Sequence, residues 1–163
     1  MIAVWLIALP AAAQTVAPTE LGHFNGWTAY TRPDGKRTTC YAVTGPSKTD
    51  PNVKQSKPNL MVTHSPSEHT YNVVSIDLGA ELAPGTAADV AIGKTTFDFF
   101  TKDKSAWSRD ADTDKTVVVA MTQGQDLAVK TRPPKGRSLT VSFSLAGFPQ
   151  AVAAIDKACK YKR

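Results

Sequence analysis

The stretch Ser138–Lys160, SLTVSFSLAGFPQAVAAIDKACK, contains a change of hydrophobic period from that of a strand to that of a helix. Residues 138–145 alternate polar and apolar side chains, the pattern of a strand with one buried face. Further along, apolar side chains recur at the spacing of one helix face, at Phe148, Val152, Ile155 and Cys159. Alanines between these positions favour a helix further. The sequence therefore predicts a buried strand followed by a C-terminal α-helix that carries Cys159 on its buried side.

Upstream of this stretch, short apolar or alternating segments are separated by turn signals. The turn Arg32–Lys36 is typical, because its proline presets φ and its glycine accepts a positive φ. The segments expected to form strands are residues 24–31, 36–44, 59–64, 71–78, 89–92, 95–100, 116–122 and 126–131. Residues 45–58 and 102–115 are expected to form loops. We predict a mostly-β fold of about eight to nine short antiparallel strands, a sandwich or barrel, as one domain over residues 23–163.

The N-terminal segment has the composition of a secretory signal peptide. Residues 1–13 (MIAVWLIALPAAA) are apolar and uncharged, and they end in Ala11 and Ala13, the small residues of an A-x-A cleavage site. The run is shorter than the ~20 apolar residues of a membrane span, and a buried strand or helix is the alternative. We predict export to the periplasm, the outer membrane or the exterior. Residues 14–22 would form a flexible lead, and no membrane span would remain after cleavage.

The chain has two cysteines, Cys40 and Cys159. An even number of cysteines in an exported protein favours a disulfide, with two buried thiols as the alternative. The bridge would tie the C-terminal helix to an early strand. Because no C-x-x-C pair is present, a redox role is not indicated.

The formal net charge is +5, and the basic residues are scattered along the sequence. Small clusters occur at residues 132–137 and 157–163. Nucleic-acid binding usually shows a basic stripe with interleaved aromatic residues, and this pattern is missing, so a nucleic-acid partner is not expected. The cations form either an ordinary solvated surface or part of a site for an anionic lipid, a polysaccharide or an acidic partner.

No recognisable catalytic set occurs in the sequence, and neither a metal nor a cofactor is predicted. His64 and His69 flank Glu68 in a turn with a proline, which is not the helical spacing of a zinc protease. Three aspartates alternate within residues 110–114, but the glycine and terminal glutamate of an EF-hand are missing. The sequence also lacks a nucleophile elbow and a phosphate-binding glycine loop.

Trp107 is the aromatic residue most open to a functional interpretation. It lies in a charged segment, where a large apolar side chain either packs beneath the loop or anchors an interface. The candidate interaction surface combines this residue with four basic ones, and it consists of Trp107, Arg109, Arg132, Lys135 and Arg137.

Several motifs give the chain a resemblance to the invasion-associated locus B family of exported alphaproteobacterial proteins. They are WTAY at 27–30, TCYA at 39–42, NVVSIDLG at 72–79, AWSRD at 106–110, VVAM at 118–121, and SLAGF and AVAAIDKAC within 144–159. The resemblance implies an immunoglobulin-like β-sandwich in the periplasm or outer membrane, with the two cysteines paired. It supplies no catalytic residues. The chain departs from the family pattern at Pro133-Pro134, where a Ser/Gly-rich turn is usual.

These observations lead to three functional hypotheses. The first is a non-catalytic envelope protein of this family that binds another protein or a surface polymer and contributes to host interaction or envelope function. The second is an enzyme whose site is assembled from distant strands, for example around His64, Glu68 and Asp77, which requires a pocket that holds these side chains together. The third is a periplasmic small-ligand carrier, which requires an apolar cavity inside the sandwich.

Overall fold

One antiparallel sheet and two α-helices make up the described part of the chain. A computed structural model describes residues 16–51, Val53 and residues 56–163; the predicted signal peptide at residues 1–13 lies outside them. The strands are β1 (Thr19–Phe24), β2 (Trp27–Asp34), β3 (Arg37–Thr44), β4 (Lys48–Thr49), β5 (Asn59–Ser65), β6 (Thr70–Asp77), β7 (Ala87–Ile92), β8 (Thr95–Lys102), β9 (Ser105–Trp107), β10 (Asp126–Arg132) and β11 (Thr140–Ser144). The helices are α1 (Ala111–Gln123) and α2 (Phe148–Ala158), with a short 3-10 helix at Pro66–Glu68.

All the strands pair in a single sheet that folds back on itself. The strand order is β1-β2-β3-β5-β6-β9-β8-β7-β10-β11-β4. Trp27, near one edge, donates its indole N–H to the carbonyl oxygen of Ser144, near the other edge, at 3.0 Å. The two halves of the sheet therefore face each other in a sandwich-like arrangement. Helix α2 packs on β1, β2 and β3, and α1 packs on β6.

The core lies between the two halves of the sheet and the two helices. Inward side chains of successive strands alternate with outward ones, as in β5 and β6, where every second residue is buried. The largest fully buried apolar side chains are Trp27, Phe99, Phe143, Phe148, Leu60, Ile76, Leu78, Met121, Leu127, Leu145 and Ile155. The predicted alternation in residues 138–145 and the helical stripe that follows it both face this core.

The entry to α2 depends on a glycine. Gly147 has a φ of 91°, and a Cβ there would collide with the carbonyl oxygen of Phe24. Pro149 lies in the first turn of the helix, where its missing N–H costs no hydrogen bond. Phe148 then packs its ring on Trp27 with the ring centroids 4.8 Å apart. The SLAGF sequence therefore places α2 against β1 and β2.

The disulfide predicted between Cys40 and Cys159 is present. Cys40 lies in β3 and Cys159 follows the last turn of α2, with their Cα atoms 6.0 Å apart and a sequence separation of 119. Both residues are buried. The bridge fixes the end of α2 on the sheet.

The predicted class, mostly β and sandwich-like with a C-terminal helix, is confirmed, and the described residues form eleven strands instead of eight or nine. The flexible lead expected at residues 14–22 is wrong from Thr19 onward, because residues 19–22 belong to β1, which pairs with β2. Within the described residues, neither helix is long and apolar enough to cross a membrane.

The strand predicted at residues 116–122 is wrong, because this segment lies in α1. Its run of valines is typical of a buried strand, but Asp110 caps a helix instead, accepting the Thr113 N–H at 2.7 Å. This hydrogen bond lowers the pKa of the Asp110 carboxyl. Val117, Val118 and Met121 then share one buried helix face. The loop expected at residues 102–115 correspondingly contains β9 and the start of α1.

We predict that removing the disulfide lowers stability but leaves the fold. Substituting Cys40→Ser together with Cys159→Ser should reduce the free energy of unfolding by about 4–5 kcal/mol, because the bridge closes a long loop in the unfolded chain. Urea unfolding followed by circular dichroism measures this change. Reduction of the wild-type protein is the control and should give a similar loss; an unchanged melting temperature after reduction would show that the bridge does not stabilise the protein.

Candidate functional site

A very short strand splits the sheet. Strand β9 has 3 residues, whereas its neighbours β6 and β8 have 8 each. It pairs with Ser75–Asp77 of β6 and with residues 100–102 of β8. After Trp107 the chain leaves the sheet and turns into α1. Among the described strands, residues 95–99 of β8 therefore have no partner on the β9 side.

A groove of about 450 Å³ lies at this split. Trp107 pairs across the strands with Phe100, and their rings stack with centroids 5.7 Å apart and planes 29° apart. Phe100 is 39% exposed, which is unusual for a phenylalanine. The groove is lined by apolar side chains from β6, β8 and β9 and by three polar residues that lead into α1: Val73, Val74, Phe100, Trp107, Ser108, Arg109 and Asp114.

Asp114 forms the polar wall of the groove and is only 7% exposed. Its Oδ1 accepts the main-chain N–H of Val74 at 3.0 Å, so the side chain takes the place of a strand partner for this part of β6. Burial raises the pKa of the Asp114 carboxyl, partly opposed by hydrogen bonds from Ser108 and from the Val74 N–H. The carboxyl is therefore held where its ionised form is disfavoured.

Two arginines are gathered beside the groove by one carboxylate. Asp98 accepts two hydrogen bonds from Arg109, at 2.9 and 3.1 Å, and one from Arg132 at 2.6 Å. Arg132 also forms an ion pair with Asp89 at 3.0 Å. These side chains are all partly exposed, and exposed ion pairs stabilise a fold little. They bring two guanidinium groups together on the outer face of β8.

The structure brings together three of the five residues of the candidate interaction surface. Trp107 and Arg109 line the groove, and Arg132 joins Arg109 through Asp98. Lys135 and Arg137 lie instead in the exposed loop between β10 and β11 and take no part in the Asp98 network.

Sequence reasoning did not identify Asp98, Phe100 and Asp114 as parts of this site. The alternation of β8 contains a signal for the first two, because Asp98 and Phe100 share the face opposite the buried Phe99. Their position beside Trp107, however, follows from the register of β8 with β9. The role of Asp114 requires the helix that sequence reasoning interpreted as a loop and strand.

The residues proposed for an enzyme site are not assembled. His64 is fully buried, where its Nε2–H donates to Asp156 at 2.7 Å and its Nδ1 accepts the Asn72 N–H at 3.0 Å. Asp77 pairs with Asn59 at the opposite end of β5, and it forms an ion pair with Lys104 at 3.3 Å. Glu68 is exposed on the 3-10 helix. His64 therefore joins α2 to the sheet.

Within the described residues, no group of three or more His, Cys, Asp or Glu could hold a metal ion. The hypothesis of a small-ligand carrier depends on the cavities. A second groove, of about 410 Å³, is lined by residues 81–84 and 101–103. Both grooves have exposed side chains at their rims. Neither is the enclosed apolar cavity that the carrier hypothesis requires.

Together, the fold and the groove define a disulfide-linked, mostly-β domain with an aromatic groove at a split in its sheet. The family model described as Invasion associated locus B (IalB) protein matches residues 27–156. Because this match covers most of the chain, the chain belongs to that family, as its motifs predicted. No curated protein and no solved structure matches it.

We predict that Asp114→Asn changes how stability depends on pH. The Asn Oδ1 can still accept the Val74 N–H, but the buried charge is removed. Because the folded-state pKa of Asp114 is raised, its contribution to stability is fully present below the unfolded-state pKa and is lost as the pH rises through the folded-state value. The variant should therefore gain stability relative to wild type between acidic and neutral pH, measured by urea unfolding.

The matched variant Asp114→Ala separates charge from hydrogen bonding. Relative to Asp114→Asn, it leaves the Val74 N–H without its acceptor and should cost about 1–3 kcal/mol at every pH. If the stability difference between Asp114→Asn and wild type does not vary with pH, the carboxyl is not held in an unfavourable environment.

Proposed function

We propose that this protein is a non-catalytic binding protein of the cell envelope, and that its groove beside β9 binds an extended segment of a partner protein. The observation that carries this proposal is the split in the sheet, where a three-residue strand lies between two eight-residue strands. Export is supported by the signal-peptide pattern in the sequence. The contribution to host interaction or envelope function stays a prediction.

The main chain of β8 provides the first half of the recognition. Residues 95–99 pair with β7 on one side and have no described strand on the other. A peptide that adds there would extend the line of β9 and take the hydrogen bonds that a longer β9 would make. Such strand addition obtains affinity from main-chain hydrogen bonds, and unpaired strand edges are prone to it.

The side chains of the groove provide the second half. Trp107, Phe100 and Val73 offer apolar contact, and the stacked aromatic pair is the type of anchor that dominates interface energies. Arg109 and Arg132 lie beside the edge of β8, where both donate hydrogen bonds to Asp98. A partner carboxylate could replace Asp98 on either guanidinium, which would form a charge-assisted hydrogen bond. The expected partner segment is therefore extended, with an apolar residue followed by an acidic one.

We predict that a photo-crosslinking residue at Thr96, on the open edge of β8, captures one contiguous segment of one partner from the protein's own cell envelope. The same residue at Lys130, in the middle of β10, is the positional control and should not capture it. Substituting Trp107→Ala should weaken binding roughly thirtyfold, the effect of losing an aromatic anchor worth about 2 kcal/mol. Peptide mapping of the crosslinked product by mass spectrometry is the measurement.

Two further variants make this experiment decisive. Trp107→Phe keeps a ring on Phe100 and should retain most of the binding, whereas Tyr30→Ala removes an aromatic side chain that stacks on Tyr41 outside the groove and should change nothing. Capture that survives Trp107→Ala, or that is equal from Thr96 and Lys130, would contradict the proposed site. Capture of carbohydrate alone would indicate a surface polymer as the ligand.

A further inference from the structure

Two basic segments far apart in sequence meet at one end of the sheet. The tip of the β2–β3 hairpin lies just beyond Cys40, and the C-terminal tail continues directly from Cys159, which is bonded to Cys40. We call this end the basic pole. Its cations are all exposed, and they are Arg32, Lys36, Arg37, Lys157, Lys160, Lys162 and Arg163. The scattered charges of the sequence are therefore concentrated by the fold.

The C-terminal tail is held in place by specific contacts. Tyr161 stacks on Tyr71 with ring centroids 4.8 Å apart and planes 22° apart, and its hydroxyl accepts a hydrogen bond from Asn72 at 3.0 Å. Arg163 donates to both oxygens of Asp156, at 2.6 and 2.9 Å. Because Tyr161 and Arg163 are anchored, the intervening Lys162 and the preceding Lys160 stay on the surface of the pole.

Few acidic residues oppose these cations. Glu68 lies on the adjoining 3-10 helix, Asp34 belongs to the hairpin, and Glu20 pairs with Tyr30 of β2 near the same end. Asp156 is already engaged by Arg163 and His64. Most of the chain's net charge of +5 therefore lies at this end of the molecule. The tail beyond residue 156 also lies outside the segment that the family model matches.

We propose that the basic pole binds an anionic phospholipid surface. The cations stand on a hairpin tip and on the chain terminus, and none of them lines either groove described above. Such an arrangement suits a planar array of phosphates, whereas a single polymer chain would need a groove to follow. Tyr71 and Tyr161 are half-buried among these cations, and tyrosine favours the headgroup region of membranes. Each lysine or arginine near an anionic membrane surface strengthens attachment several-fold.

This surface is separate from the groove beside β9, so the two can be tested independently. The pole would attach the protein to a membrane, while the groove stays available for a protein partner. The opposite end of the sheet offers a matched control. Lys102 of β8 lies at that end, because it pairs with Ser105 and Ser105 pairs in turn with Asp77, the last residue of β6. The loop that carries Lys135 and Arg137 follows β10 at that same end.

The experiment is co-sedimentation of the purified protein with vesicles of phosphatidylcholine alone or mixed with phosphatidylglycerol. We expect binding to the mixed vesicles alone, decreasing as salt is added because screening weakens the attraction. The variant Lys36→Gln, Lys160→Gln, Lys162→Gln should lose affinity by roughly a hundredfold. The control variant Lys102→Gln, Lys135→Gln, Arg137→Gln removes the same charge from the other end and should bind like wild type.

Several results would overturn the proposal. Equal loss of binding in both triple variants would show that net charge alone is responsible. No binding to the mixed vesicles would exclude the lipid surface, and binding to a soluble polyanion without vesicle binding would assign the pole to a polymer. All substituted residues are exposed, so unchanged melting temperatures should confirm that each variant is folded.

Discussion

The hydrogen bond from the Trp27 indole to the Ser144 carbonyl is the contact on which the fold depends. It joins two strands that are 117 residues apart in sequence and near opposite edges of one continuous sheet. A buried indole N–H needs an acceptor, and the ring also packs on Phe148. This contact therefore fixes how far the sheet folds over and where α2 begins. With α2 in place, Cys159 reaches Cys40, and the apolar inner faces of both halves are removed from water.

The anchored C-terminal segment determines the surface as well as the core. The disulfide and the His64–Asp156 hydrogen bond hold the end of α2 on β3 and β5. The tail then runs over the start of β6, where Tyr161 meets Tyr71. As a result, the cations of the tail and those of the β2–β3 hairpin lie at the same end of the sheet. Local composition shows the basic cluster at residues 157–163, but it does not show that the fold brings this cluster to the end of the sheet where the β2–β3 hairpin turns.

The groove has a different origin, in the early end of β9. The N-cap at Asp110 begins α1 so soon after Trp107 that β9 has no length left to fill the space between β6 and β8. Asp114, one turn into that helix, partners the Val74 N–H that a longer strand would have satisfied. The β8 side of the gap has no comparable cap from α1. Because the chain forms a helix here instead of a longer strand, the β6 edge is capped by Asp114. The β8 edge stays open beside the partly exposed pair of Phe100 and Trp107.

The mostly-β class, the C-terminal helix and the disulfide could be predicted from the sequence, because each prediction rests on a local period or on a cysteine count. Alternation over residues 138–145 and the stripe from Phe148 to Cys159 have one interpretation each. Residues 116–122 have two interpretations, since a run of valines suits a buried strand and a buried helix face equally well. Packing against β6 decided between them. Phe100 came to lie beside Trp107, and Tyr161 beside Tyr71, through the tertiary structure alone. Strand register and chain reversal create such neighbours, and neither leaves a trace in the spacing of residues along the chain.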